Sequence, residues 1–398
     1  MIPLRILFLS PHFHPEKIST GKYNTILVEG LIERGADVRV VTSHPLYPSW
    51  RPVHSEVPYL SASIHRGGRW VRYPSKPLLR RLVLELWFAY HCFRELLRAR
   101  ENIDLVVLVF PPSLYALLVG LLLPRSIRKI GIVHDLQAVM GLNGRQTMRR
   151  ALSQFVRAIE RQAFEVCDQL IALSDQMART IIESYSQHVA KIKVRYPFKT
   201  LVASGEVKRN LAHILKQGAT HVVYSGAMGK KQNSKKLLEF FQAAAKEMPE
   251  VNFHLFSEGP TFQEYRTLCE SNGFNGVQFH GLVGDTDLEE LYARSAVQVI
   301  PQVQTESNGC FPSKLANILA AGCAVLAICN LESDLAQIIN QTKVGAVAAN
   351  WERDELMAKL RHVLNQAATE PREARQSAVS EILADRFNRE KLVDLIVG

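Results

Sequence analysis

The chain has 398 residues, 47% hydrophobic and 22% charged, the balance of a globular protein long enough for more than one core. Its six scattered cysteines, with no CxxC pair and no metal-ligand spacing, fit buried thiols in a reducing compartment better than a disulfide framework. Charge is uneven: residues 1–200 hold 28 Lys and Arg against 15 Asp and Glu, while the remainder holds 20 against 23. The basic half points to an anionic partner, such as a phospholipid surface or a lipid-linked phosphate. Nucleic acid is not expected, because the arginines flank apolar helical stretches rather than interleaving with aromatic stacking platforms. The longest apolar run, 114–123, is about half the ~20 residues that a membrane-crossing helix requires. The opening MIPLRILFLSPHFHPE lacks the long apolar segment of a secretory signal. A cytoplasmic chain, peripheral on the inner face of the cell membrane, is therefore expected.

In chain order the pattern alternates strand and helix. Residues 5–10 read as a strand ending in a Pro/His loop. A helix over 23–34 follows, with Gly35 as its C-cap, and then a strand over 37–42. A long helix is expected over 78–100, a buried strand over 104–110, a helix over 114–123 and a strand over 129–133. Unbroken Val/Ile/Leu runs such as 105–109 indicate parallel strands covered on both faces. Residues 196–206, with a Pro and a Gly, read as a linker. The grammar then restarts: strands over 221–225, 252–256, 277–279, 297–301 and 324–328, the last clear one, and helices over 234–245, 262–272, 287–294 and 315–321. The expected class is α/β, with two Rossmann-like doubly wound domains facing a cleft. The first spans 1–200, joined by a C-terminal helix within 380–398, and the second spans 201–379.

Several stretches together carry a resemblance. They are PHFHPEKISTGKYNTILVEGLIERGADVRVVTSHPLYPSW, VFPPSLYALL, HDLQ, IERQAFEVCDQLIALSDQM, YSGAMGKKQN, FHLFSEGP, VQFHGLV, LYARSAVQVIPQ and PSKLANILAAG. In this order and spacing, over roughly residues 4–330, the chain resembles bacterial family 4 glycosyltransferases of the exopolysaccharide (colanic-acid) type. The resemblance implies the GT-B fold, a nucleotide-sugar donor such as a UDP- or GDP-sugar, and a glycan or polyprenyl-linked acceptor. It also implies retention of anomeric configuration and no bound metal or other cofactor.

A transferase that breaks a sugar–diphosphate bond must stabilise the leaving diphosphate. Without a metal, cationic side chains, backbone N–H groups of glycine turns and helix N-termini are the available devices. The loop Ser225-Gly226-Ala227-Met228-Gly229-Lys230-Lys231 lies between a strand and a helix, where such a device belongs. Gly226 and Gly229 would let backbone approach phosphate, and Lys231 matches the family's phosphate-binding lysine. The bland reading is an ordinary glycine turn with surface lysines. Pro312-Ser313-Lys314, leading into a helix, reads as a second anion nest, or as a helix start that Ser313 simply caps. Many relatives carry two glutamates eight residues apart here, for the sugar and the ribose. This chain has Gly309 and Asn317, with Glu306 three residues early, and Ala227 where an arginine is usual.

In the first half, Gly21 within Thr20-Gly21-Lys22 matches the family loop that faces the donor phosphates. His134 and Asp135 end a buried strand, and are the candidates to bond the donor sugar or the attacking hydroxyl and to orient or accept a proton. His12 and His14 are weaker candidates of the same kind. By resemblance, Glu258 and His280 line the nucleotide pocket. Arg80, Arg81, Arg94, Arg98 and Arg100 surround Leu82, Leu86, Trp87, Phe88 and Phe93, so the helix from residue 77 reads either as a membrane-interface element or as an amphipathic core helix. A glycosyltransferase is the leading reading. The alternatives are a catalytically silent homologue serving as a nucleotide-sugar-binding or scaffold subunit, and a nucleotide-sugar epimerase.

Overall fold

The computed structural model describes residues 3–16, 18–47, 49–99, 103–136, 147–201, 210–229, 232–302 and 311–398. The chain divides into two compact units. The first comprises Met1–Phe198, Gly309–Phe311 and Arg386–Gly398; the second comprises Lys199–Asn308 and Pro312–Asp385.

The first unit is built on a seven-stranded, wholly parallel sheet of order β3-β2-β1-β4-β5-β6-β7. The strands are β1 (Arg5–Leu9), β2 (Asp37–Ser43), β3 (Ser63–Gly67), β4 (Leu105–Phe110), β5 (Arg128–Val133), β6 (Gln169–Ala172) and β7 (Ile192–Val194). Every residue of β4, LVVLVF, is buried, as expected of a central strand covered by helices on both faces. The helices are α1 (Ser19–Glu33), α2 (Pro77–Ala99), α3 (Leu114–Leu122), α4 (Thr147–Val166) and α5 (Asp175–Tyr185). The sequence pattern gave no sign of β3, β6 and β7. β3 reads SIHRG with no fully buried residue, and β6 and β7 are four and three residues long, too short for a period to register. α1 opens at Ser19, so Gly21 sits inside its first turn rather than ahead of it.

The C-terminal helix α13 (Arg389–Val397) returns to the first unit and lies against α1. A Cβ on Gly30 would stand 2.8 Å from Val393, so the missing side chain permits this close packing. Ion pairs from Arg34 to Glu390 and from Arg389 to Glu33 flank the contact. The return begins at Arg386, not near residue 380, because α12 (Arg372–Asp385) continues unbroken within the second unit.

The second unit repeats the plan with a six-stranded parallel sheet of order β10-β9-β8-β11-β12-β13. Its strands are β8 (Thr220–Ser225), β9 (Val251–Phe256), β10 (Val277–His280), β11 (Val297–Pro301), β12 (Ala324–Ile328) and β13 (Gly345–Ala348). The pattern stopped at β12. β13, GAVA, is made of small residues, and a Cβ on Gly345 would collide with the carbonyl of Val325 on β12. The helices are α6 (Ser234–Glu247), α7 (Pro260–Ser271), α8 (Leu288–Arg294), α9 (Leu315–Ala320), α10 (Asp334–Thr342) and α11 (Arg353–Thr369), followed by α12. In each unit the first strand has sequence-adjacent strands on one side and later strands on the other. That reversal creates the crevice at the carboxyl ends where open α/β sheets bind ligands.

Candidate active site

In the second unit the reversal lies between β8 and β11. Ser225 ends β8 and leads into Gly226, whose φ of +145° strongly favours glycine. Beyond it, Gly229 accepts hydrogen bonds at its carbonyl from the Ser234 hydroxyl (2.9 Å) and the Gln232 amide (3.1 Å), which shapes the turn into α6. From the other side of the reversal, Lys314 reaches across. Its ammonium donates to the Ser225 carbonyl at 2.9 Å and sits 4.4 Å from the centre of the Tyr224 ring. A Cβ on Gly226 would come within 3.7 Å of that ammonium.

Although the Lys314 residue keeps some surface, its nitrogen lies inside the protein, and burial lowers its pKa from 10.5 to about 7. No carboxylate of the described residues pairs with it. A half-neutralised, uncompensated ammonium beside a glycine turn is an arrangement that an incoming anion completes. Nearby, at the carboxyl end of β9, the fully buried Ser257 hydroxyl has no partner. Sequence reasoning missed Ser257. Its signal was position: it follows β9 just as Gly226 follows β8, a link visible only once the strands are paired, as Gly226 N bonds Phe256 O at 3.0 Å.

Other expected residues are placed differently. Ser313 is exposed and makes no cap bond; Lys314 occupies the cap position of the six-residue α9, and the Leu315 amide is already bonded to Pro312. What this candidate nest offers an anion is therefore the Lys314 ammonium more than helix amides. Asn317 is buried, and its side-chain oxygen accepts from the Thr200 (2.9 Å) and Leu201 (3.2 Å) amides while its nitrogen donates to the Thr200 hydroxyl. It clamps the start of this unit, so its oxygen is not offered to a ribose here. Glu258 is exposed ahead of Gly259, the N-cap of α7. Lys231, Glu306 and Gly309 lie outside the described residues.

His280 ends a chain of imidazoles running across β8, β9 and β10. His221 Nε2 lies 2.9 Å from the Lys216 carbonyl, His221 Nδ1 is 2.9 Å from His254 Nε2, and His254 Nδ1 is 3.1 Å from His280 Nε2. Burial lowers all of them, His254 to about 3 and His280 to about 4, so the rings are neutral. A carbonyl only accepts, so His221 carries its proton on Nε2 and leaves Nδ1 as an acceptor. The same logic then fixes His254 and His280 in the Nε2–H form. His280, stacked 4.6 Å from Phe256, thus presents a lone pair at Nδ1. A histidine inside an apolar strand was the available sequence signal for His221 and His254.

In the first unit the reversal lies between β1 and β4. Gly21 packs over Glu16, whose Cβ would be 3.0 Å from an added Cβ. Glu16 takes the Leu46 and Tyr47 amides at 3.0 and 2.8 Å and so orders the loop after β2. Just past β5, His134 meets the Tyr23 ring edge-on at 4.8 Å, and Tyr23 stacks on Phe198 at 4.4 Å. Burial, with a smaller push from His12, lowers His134 to about 3. It is a neutral hydrogen-bonding group, not a proton store at pH 7. Its Nε2, the Tyr23 hydroxyl, Asn24 Oδ1 and His12 Nδ1 are buried without hydrogen-bond partners. Asp135 bonds the Leu136 amide at 3.0 Å and is otherwise engaged. His14 lies tilted against the Tyr59 ring, 4.6 Å away.

Residues 20–198 match the profile of Glycosyltransferase Family 4, and residues 219–366 match that of Glycosyl transferases group 1. The chain is a family 4 glycosyltransferase of the GT-B fold. It is 24% identical over 392 residues to the Escherichia coli (strain K12) protein WcaI, whose name gives it as a glycosyl transferase of colanic acid biosynthesis. That match spans 91% of this chain and 92% of WcaI. Among solved structures, this glycosyltransferase resembles sucrose-phosphate synthase from Thermosynechococcus elongatus with a TM-score of 0.73 and 17% identity, covering 99% of this chain and 97% of that one. It also resembles Anabaena HepE in complex with UDP, with a TM-score of 0.68 and 13% identity, covering 99% and 98%. These two likenesses concern the fold. Among the described residues of the glycosyltransferase, no helix is long and apolar enough to cross a membrane, and no cluster of His, Cys, Asp or Glu has metal-holding geometry.

Proposed function

We propose that the enzyme moves a hexose-type sugar from a UDP- or GDP-sugar to a glycan or polyprenyl-linked acceptor in polysaccharide biosynthesis. The observation that carries this reading is the buried Lys314 ammonium, with no carboxylate partner among the described residues, set against Ser225 and Gly226 at the reversal of the second sheet. A diphosphate supplies the missing charge, and Gly226, Gly229, Ser313 and Lys231 are assigned to its other oxygens. No metal or cofactor is invoked for the leaving group. His280 Nδ1 suits a base edge with a ring N–H, such as uracil or guanine, and disfavours cytosine, whose matching nitrogen is itself an acceptor. Glu258 is assigned to the same pocket, and Glu306 to the sugar.

On the first unit, His134 is assigned to hydrogen-bond the sugar or the attacking hydroxyl, with Asp135 orienting it and Gly21 leaving room for the donor. Retention is read as same-face attack in which the departing phosphate takes the acceptor's proton. That route suits a neutral His134. The glycan acceptor is reached at the inner face of the cell membrane. Calorimetry with UDP and GDP on the wild type and Lys314→Ala tests the reading: binding weakened about tenfold or more in the variant is expected, and equal affinity would end it. A second reading, a catalytically silent nucleotide-sugar binder, is favoured by Asn317 being held on Thr200 and Leu201 where relatives place a glutamate. Donor binding with no transfer and no donor hydrolysis would select it.

A further inference from the structure

The second unit carries a cavity of about 440 Å³ beside Ala219 and Ala296, which immediately precede β8 and β11. The two strands are parallel, so this is the amino end of the sheet, opposite Gly226 and Ser257. Three arginines line the cavity, Arg294, Arg372 and Arg375, with a single carboxylate, Glu370. None of these residues has a part in the donor site.

Carbonyls at the ends of α8, α9 and α11 hold two of the guanidiniums in place. Arg372 Nη1 donates to the Tyr292 and Ala321 carbonyls at 3.1 and 3.2 Å, and its Nη2 to that of Ser295. Arg375 Nε donates to the Gly322 carbonyl at 2.9 Å, and its Nη1 to that of Glu370. A Cβ on Gly322 would stand 2.8 Å from the Arg372 carbonyl, so the glycine lets α12 begin this close to α9. Arg294 bonds Glu290 at 2.7 Å and the Leu215 carbonyl at 3.1 Å. One nitrogen of each arginine, Arg294 Nη2, Arg372 Nε and Arg375 Nη2, is left without an acceptor among the described residues, and none of the three is sealed from solvent. Arg372 and Arg375 have no ion-pair partner among the described residues, and burial, then the charge of Arg372, lower the pKa of Arg375. The cavity thus combines oriented N–H donors with positive charge that carbonyl dipoles offset only in part.

We propose that this cavity binds a sugar phosphomonoester, its phosphate held by Arg294, Arg372 and Arg375. Guanidiniums already oriented by carbonyls suit the several acceptor oxygens of one phosphate and lose little side-chain freedom on binding it. The cavity is larger than a phosphate group, and the rest of its wall suits hydroxyls. The Glu370 carboxylate only accepts, and the Thr369 hydroxyl, which donates to the Asn365 carbonyl at 2.9 Å, keeps its own acceptor capacity. Glu370 also opposes a polyanion filling the whole space. A nucleotide is disfavoured, because no aromatic side chain lines the cavity to stack on a base. Lying at the amino end of the sheet, the site leaves the donor crevice free, so a sugar phosphate and a nucleotide bind together.

Calorimetry on the full chain tests the proposal, with glucose-6-phosphate as the probe beside inorganic phosphate and glucose. The sugar phosphate should bind about tenfold or more tightly than inorganic phosphate, and glucose should give no binding heat. Binding should persist in Lys314→Met and under saturating UDP, so failure of the donor site and failure of this one are told apart. Arg372→Ala would also remove bonds to two helix ends, so the decisive variant is Ala368→Glu, which sets a carboxylate on the exposed wall and removes no bond. It should weaken glucose-6-phosphate binding about tenfold or more, while the melting temperature and UDP affinity stay as in the wild type. Three results would each overturn the proposal: sugar-phosphate binding lost in Lys314→Met, equal affinity for inorganic phosphate, or unchanged binding in a folded Ala368→Glu protein.

Discussion

The two units share a strand order, yet their ligand ends carry opposite chemistry. Around the carboxyl ends of β1 and β5, the buried atoms without a hydrogen-bond partner include His134 Nε2, the Tyr23 hydroxyl and Asn24 Oδ1, all on neutral groups, while Glu16 is tied to backbone amides. At the carboxyl end of β8 stands a buried ammonium, Lys314, with no carboxylate partner among the described residues, backed by a glycine turn and a bare serine hydroxyl. One frame thus offers hydrogen bonds suited to hydroxyl-rich groups, and its repeat offers charge suited to phosphate. The parallel sheet sets where a ligand goes; the few residues beyond its strands set which ligand.

The sharpest way to break this contrast is at Lys314. Lys314→Ala should weaken UDP or GDP binding by roughly tenfold to a hundredfold, about 1.5–3 kcal/mol for one charge-assisted bond to phosphate, measured by calorimetry. If the first unit carries acceptor chemistry alone, His134→Ala should leave that affinity unchanged while lowering kcat about tenfold. Because His134 titrates near pH 3, its loss should not alter the shape of the rate profile between pH 5 and 9.

A pH series sharpens the same comparison. Lys314 has a pKa of about 7 when unliganded, and a bound diphosphate raises it, so nucleotide affinity should fall as pH rises through 7, by up to about tenfold per unit. Lys314→Met should abolish that slope. For stability the sign is the reverse. A lysine with a lowered folded-state pKa holds fewer protons folded than unfolded, so wild-type stability relative to Lys314→Met should rise as pH goes from about 7 towards 10.5. The smallest expected effect lies in the imidazole chain. His254→Leu frees the His280 tautomer, and the preference for UDP over CDP should shrink by about threefold to tenfold, with nitrogen NMR reporting the tautomer directly.

Much of this protein was legible from the chain. Continuous apolar runs such as 105–109 marked the central strands, and the glycine turn at 226–229 with Lys314 marked the candidate anion site. In the motif Asn317 stands where many relatives carry the glutamate that meets the ribose. Only the folded chain brings Thr200 and Leu201 to its amide. The edge strands β3 and β13 were invisible for a related reason, since SIHRG and GAVA carry no period and exist as strands only because a neighbour supplies the ladder.

By itself, then, the sequence determined the alternation of strands and helices, the two-fold repetition of the plan and the basic character of the first half, because these depend on local period and composition. Tertiary structure decided which polar groups remain unsatisfied among the described residues: Lys314 without a carboxylate, His134 Nε2 without a hydrogen-bond partner, His280 with a lone pair at Nδ1, Arg66 with an unmet Nη1. Whether a buried donor or acceptor is met depends on residues far away in the chain, and no spacing along a sequence encodes the other half of a hydrogen bond.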